Sequence, residues 1–145
     1  MLLLDTNVVS ELRKVQHPRT APEFVAWART ADHESFYLPS IVLYEMEEGL
    51  LRLERRDPAQ ALPIRMWMIG AFLPSFRSRV LPLTAEICME AAKISVNAQG
   101  GNDIDFLIAA TARVHGMTLV TRNTRHFEET GILLLNPWET VAGGQ

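Results

Sequence analysis

Short apolar runs alternate along the chain with longer stretches that carry an apolar residue every three or four positions, and this alternation predicts strands interleaved with helices. Leu2 to Leu4 reads as a buried strand, and Thr6 to Lys14 as a helix with Val8, Val9 and Leu12 on one side. After Pro18 and Pro22 the pattern predicts a helix from Phe24 to Ala31, a strand from Ser35 to Leu38, and a helix from Ser40 to about Arg56, entered at Pro39 and Ser40. Leu62, Met66, Ile69 and Leu73 recur at helical spacing and predict a helix over Ala59 to Phe76, with Gly70 and Pro74 limiting its end. A strand at Arg79 to Leu81 and a helix from Thr84 to Asn97 follow. Gly100 and Gly101 break the chain before a helix from Asp103 to His115, which Gly116 ends. Thr118 to Thr121 and Ile132 to Leu135 read as strands around a short helix from Arg125 to Glu129. Strands recurring between helices predict an α/β fold, a central parallel sheet with helices on both faces.

Composition narrows the class. With 145 residues, 48% of them apolar, the chain is long enough to close one compact unit spanning 1–145 and to bury about two-thirds of its unfolded surface. No apolar run is long enough for a membrane span, and Asp5 interrupts Met1–Leu4 too early for a signal peptide, so a cytoplasmic chain is expected. The single cysteine, Cys88, lies among Ile87, Met89 and Ala91 and reads as a small core residue. A net charge of −3 argues against holding nucleic acid by a broad basic surface and leaves contact with phosphates to local arginines.

Open parallel sheets place ligands outside the carboxyl ends of their strands. Asp5 and Asn123 fall at two such ends, Glu45 lies on a helix at the edge of the stripe traced by Val42, Met46, Gly49 and Leu53, and Asp105 opens a later helix. Each also has a structural explanation. Asp5 can cap the helix that follows it, Asp105 fits a capping box with Asn102, and Asn123 suits a turn. Gathered together, however, the acids need a cation: two carboxylates about 4 Å apart repel by roughly 4 kcal/mol at an effective dielectric near 20. An all-oxygen ligand set favours Mg²⁺ or Mn²⁺ over zinc. His17, His33, His115 and His126 show no zinc-binding spacing and read as solvated or individually satisfied side chains.

Four segments then carry a resemblance. Leu3-Leu4-Asp5-Thr6-Asn7-Val8-Val9-Ser10-Glu11-Leu12, Pro39-Ser40 through Tyr44-Glu45, Asp105-Phe106-Leu107-Ile108-Ala109-Ala110-Thr111-Ala112, and Thr118-Leu119-Val120-Thr121-Arg122-Asn123-Thr124-Arg125-His126-Phe127 together resemble the PIN-domain ribonucleases. The likeness is greatest to VapC toxins of type II toxin–antitoxin modules, near the FitB-like branch. It implies a single PIN domain and an endoribonuclease in which Asp5, Glu45 and Asp105 hold one or two Mg²⁺ ions, with Mn²⁺ able to substitute. RNA would be hydrolysed to 5′-phosphate and 3′-hydroxyl ends. Where family members often carry a fourth acid, this chain has Asn123, a weaker attractor of Mg²⁺.

The resemblance further implies a homodimer and a cognate antitoxin covering the acidic groove. Thr6, Asp103 and Thr121 are candidate supporting residues, and Arg122 and Arg125 candidate RNA contacts. Trp27, Tyr44, Met66 and Trp67 are candidates for protein contacts, with core packing the stronger expectation for each. Two other classes compete. A haloacid-dehalogenase-like phosphatase requires an acid two positions after its nucleophile, where this chain has Asn7, and a receiver-like or non-catalytic PIN-like binding module would keep the fold and acidic pocket without cleaving RNA.

Overall fold

The structure, a computed structural model, describes residues 1–139; residues 140–145 of the unit expected to span 1–145 lie outside them. Five strands form one parallel sheet: β1 (Leu2–Leu4), β2 (Phe36–Pro39), β3 (Val80–Leu81), β4 (Thr118–Val120) and β5 (Leu134–Leu135), in the order β3-β2-β1-β4-β5. The helices are α1 (Thr6–Arg13), α2 (Pro22–Thr30), α3 (Ser40–Arg56), α4 (Pro58–Trp67), α5 (Leu73–Ser75), α6 (Ala85–Asn97) and α7 (Asp103–His115). Leu3 and Leu4 are consecutive and therefore point to opposite faces, yet both are fully buried, as are Leu119 and Val120 on β4. Both faces of the sheet are therefore covered, as the sequence pattern predicts.

The strand order decides where a site can form. From β1 the chain winds outward through β2 and β3, then returns to place β4 against the other side of β1. Neighbouring strands whose connections leave in opposite directions open a crevice at their carboxyl ends. In register, Leu4 pairs with Val120, so Asp5 and Thr121 emerge side by side, and the Asp5 amide still donates to the Val120 carbonyl at 3.0 Å.

Local signals account for the helix boundaries. Asp5 caps α1, the Thr84 hydroxyl accepts from the Ile87 amide at 3.2 Å to start α6, and the Asn102 carboxamide oxygen accepts from the Asp105 amide at 2.9 Å to start α7. Gly116 ends α7 at φ 63°, a left-handed conformation that favours glycine. The expected helix from Arg125 to Glu129 is instead two 3₁₀ turns, Thr124–His126 and Glu128–Thr130, a segment too short to sustain an α-helix.

Two sequence expectations fail on helix faces. Ala59 to Phe76 is not one regular helix: after α4 the backbone widens into a π-helical turn, Met68–Phe72, before α5. Its buried residues are Ala61, Met68, Phe72 and Phe76, whereas Leu62, Met66, Ile69 and Leu73, the residues at helical spacing, face solvent at 59%, 65%, 61% and 36% exposure. The segment is apolar on both sides, so periodicity alone could not tell which side met the core. Cys88 is exposed rather than in the core, because α6 buries Ile87, Ala91 and Ile94 and Cys88 lies about 100° around the helix from Ile87. Gly49 is exposed as well; α3 buries Val42 and Leu50.

Between α3 and α4 lies a small second core of Leu50, Ala61 and Met68. Arg65 spans the two helices, pairing with Glu47 and with Glu54, the latter at 2.8 Å. Among the described residues, no helix is long and apolar enough to cross a membrane.

These faces separate the two readings of the α4 region by stability. Met66→Gln should change the unfolding free energy by less than about 0.5 kcal/mol, as surface substitutions do. Phe72→Ala should cost about 3–5 kcal/mol. Urea unfolding of the two variants checks this, and the reverse order would put Met66 rather than Phe72 in the core.

Candidate active site

Asp5 is the deepest of the candidate acids, 5% exposed at the end of β1. Its carboxylate is nevertheless well served. Oδ1 accepts from the Thr6 amide at 2.7 Å, and Oδ2 accepts from the Thr121 hydroxyl at 2.7 Å and from the Asn7 carboxamide at 3.3 Å. Thr121, fully buried just past β4, also accepts from the Asn123 amide at 3.0 Å, which ties the turn after β4 to Asp5. Asn7 adds a second tie, its carboxamide oxygen accepting from the Arg122 amide at 3.2 Å. Asp5 thus caps α1 and also forms the floor of the crevice.

Glu45 reaches the crevice from α3, where the Thr6 hydroxyl donates to its Oε1 at 2.5 Å. Asp105 approaches from the first turn of α7, its side chain 17% exposed and 3.4 Å from Nδ1 of His126. Burial raises the pKa of Asp5 above its ordinary value against the opposing hydrogen bonds, and the Asp105 charge raises it further. Glu45 is raised for the same leading reason, with the charges of Asp5 and Asp105 adding to the effect. The three acids from β1, α3 and α7 therefore share one electrostatic field.

The other candidates divide. Thr6 and Thr121 hold Glu45 and Asp5 by hydrogen bonds. Asp103 is exposed at the start of α7 and is not among the charges acting on Asp5 or Glu45. Asn123 lies exposed beyond β4, with only its backbone tied to Thr121. The Arg122 guanidinium lies 5.2 Å from the Trp138 ring centroid, and Arg125 is exposed. Sequence reasoning missed Asn7 as a bridge and His126 as the neighbour of Asp105; the phenylalanine-flanked 3₁₀ turn that carries His126 offered no spacing signal. Of the candidates for protein contacts, Tyr44 and Met66 are 56% and 65% exposed rather than in the core, while Trp27 and Trp67 pack partly against it.

The donor set suits an open oxygen-rich site. Among the described residues, no three His, Cys, Asp or Glu groups stand close enough together to hold a metal ion as they are placed. That is compatible with Mg²⁺, which keeps several waters and takes only one or two carboxylates directly. Three acids in one field, two of them pushed toward protonation by burial and mutual charge, match a site that a cation would relieve.

A family model described as "PIN domain" matches residues 2–133. The chain belongs to the PIN-domain family. This PIN domain is 34% identical to "VapC ribonuclease Y4jK" of Sinorhizobium fredii over 96% of the chain and 99% of that protein. It is also 34% identical to "Toxin FitB" of Neisseria gonorrhoeae over 95% of the chain and 99% of that protein. Its fold superposes on a solved structure of FitAcB from Neisseria gonorrhoeae with a TM-score of 0.86 at 30% identity, covering 97% of this chain and 100% of the other. The resemblance drawn from the four sequence segments therefore holds.

Linkage fixes the pH behaviour of the metal-free PIN domain. Asp5 and Glu45 bind protons more tightly folded than unfolded, so their contribution favours the folded state at low pH. It is lost as pH rises from the ordinary values of 3.8 and 4.5 through the raised folded values. Asp105→Asn removes a charge acting on both acids. In chelator at neutral pH it should raise the Tm by a few degrees, at about 2–4 °C per kcal/mol, and flatten the decline with pH. An unchanged or lower Tm across melts from acid to neutral pH would contradict the shared field.

Proposed function

We propose that this PIN domain, a single unit over 1–145, is a Mg²⁺-dependent endoribonuclease toxin of a toxin–antitoxin module, with Mn²⁺ able to substitute. The observation that carries the reading is that the Asp105 charge acts on both Asp5 and Glu45, with Asp5 at the carboxyl end of β1 beside β4. It is supported by relatives whose names describe a VapC ribonuclease and a toxin. Asp5, Glu45 and Asp105 hold the cation, which when bound supplies positive charge against the charge that develops on an RNA phosphodiester.

The residues of the chain do the orienting. Thr121 and Thr6 keep Asp5 and Glu45 from turning away, and Asn7 fixes the turn carrying Arg122 and Asn123. Glu45 Oε2 has no protein donor among the described residues, and it accepts a hydrogen bond from the attacking water. In-line attack then leaves a 5′-phosphate and a 3′-hydroxyl. Arg122 and Arg125 contact the RNA backbone, local cations on a chain of net charge −3. Asn123 stands at the rim, where it orients water or a phosphate oxygen, and Asp103 supports α7 from outside.

The partners follow the same reading. A cognate antitoxin covers the groove beside Glu45, which Met46, Leu50, Leu53, Ile64 and Trp67 line. The solvent-facing Tyr44, Leu62, Met66, Ile69 and Leu73 give α3 to α5 an apolar surface of the kind that protein partners cover. Solved structures of "FitAB bound to IR36 DNA fragment" and of FitAcB support such a partner. The toxin is a homodimer, and it acts in the cytoplasm.

Asp5→Asn, Glu45→Gln and Asp105→Asn should each lower Mg²⁺-dependent RNA cleavage by about 10²-fold or more, the scale of losing one electrostatic stabiliser. Their circular dichroism should stay that of the folded chain, and their expression should no longer slow growth. Full cleavage by any one of them would remove that residue from the site. A folded wild-type chain that neither cleaves RNA nor slows growth would leave a non-catalytic binding module.

A further inference from the structure

Next to the carboxylates, between the loop joining α6 to α7 and the two 3₁₀ turns after β4, lies a cleft of about 300 Å³. Gln99, Gly100, Gly101, Phe106, Arg125 and His126 form the walls that matter. It adjoins the acidic crevice directly, because His126 both lines it and stands 3.4 Å from Asp105, and Phe106 follows Asp105 in the chain.

The wall beside Phe106 is built for closeness. Gly100 and Gly101 have φ of 149° and 99°, conformations that other residues rarely adopt. A Cβ on Gly101 would stand 3.1 and 3.2 Å from Cε1 and Cζ of the Phe106 ring. Glycine thus keeps bulk away from an aromatic side that is only partly buried.

Charge argues for what enters. Arg113 also lines the cleft, but it is committed to Glu90 and to the Thr130 carbonyl. Glu129, also in the lining, disfavours a phosphate lodged deep inside. Among the described residues Arg125 has no ion-pair partner and the Gln99 side chain has no hydrogen bond, leaving a planar cation and an amide at the opening. An aromatic ring, an imidazole, a guanidinium and an amide form the set of groups that receives an unstacked base of single-stranded RNA. The volume suits one such base, at the small end of the roughly 300–1,000 Å³ range of ligand pockets.

We propose that this cleft receives the base of the nucleotide next to the scissile phosphate, and so sets which sequence is cut. Phe106 and His126 supply the stacking surfaces, Gln99 reads the base edge, and Arg125 holds the adjoining phosphate at the rim. The proposal rests on the ribonuclease reading.

The test uses the full chain and a single-stranded RNA library of random sequence, with 5′ ends of the products sequenced. Wild type should cut with a base preference at one position adjoining the break; Gln99→Ala, at an exposed position, should weaken that preference by about tenfold, while Arg125→Ala should lower cleavage alike for all sequences. Gly101→Ala, which sets a methyl against Phe106, should redistribute cutting toward smaller bases. If cleavage requires Asp5 but the preference is the same in wild type, Gln99→Ala and Gly101→Ala, the cleft is not the base site and the ribonuclease reading stands. If Asp5→Asn cuts as wild type does, or wild type does not cut, both fall.

Discussion

A buried carboxylate beside two others is costly, and the rest of this molecule is arranged around that cost. Asp5 is almost fully enclosed, its pKa raised by burial and by Asp105. Burying an acid without a partner of opposite charge ordinarily selects against the acid. Here the strand order makes the position unavoidable, since β1 and β4 are neighbours whose chains depart in opposite directions and Asp5 is the first residue past β1. Hydroxyl and amide donors offset part of the cost, and a divalent cation would offset the remainder.

The same donors turn a costly placement into a positioned one. Thr121 joins Asp5 to the turn after β4, Thr6 joins the first turn of α1 to Glu45, and Asn7 joins α1 to Arg122. Each link connects elements far apart in sequence. The crevice is held by side chains whose partners are settled, and among the described residues no buried side-chain nitrogen or oxygen is left without a hydrogen bond. What remains unmatched is the surplus of negative charge, which is the feature a cation and a phosphodiester would use together.

The parts legible in the sequence were those tied to chain order and local chemistry. The apolar run ending at Asp5, the cap at Asn102 and the glycine after His115 place β1, α7 and the acids they carry. Asp5, Glu45 and Asp105 were separable from capping residues only by their joint pattern, and Asp5 proves to be both cap and pocket floor. Orientation was the harder matter. In α4 to α5 both faces are apolar, so the stripe Leu62, Met66, Ile69 and Leu73 mimicked a core while facing solvent. Cys88 was misplaced by one helical step, and His126 reached Asp105 through a 3₁₀ turn that no periodicity announces.

Whether the three acids act as one cation site is open to direct measurement by electron paramagnetic resonance of Mn²⁺ titrated into the metal-free chain. Saturable loss of the free Mn²⁺ signal is expected with wild type, and Glu45→Gln or Asp105→Asn should each weaken binding by about tenfold or more, equivalent to about 1.4 kcal/mol. Equal affinity in wild type and both variants, or no saturable binding by the wild type, would contradict the account.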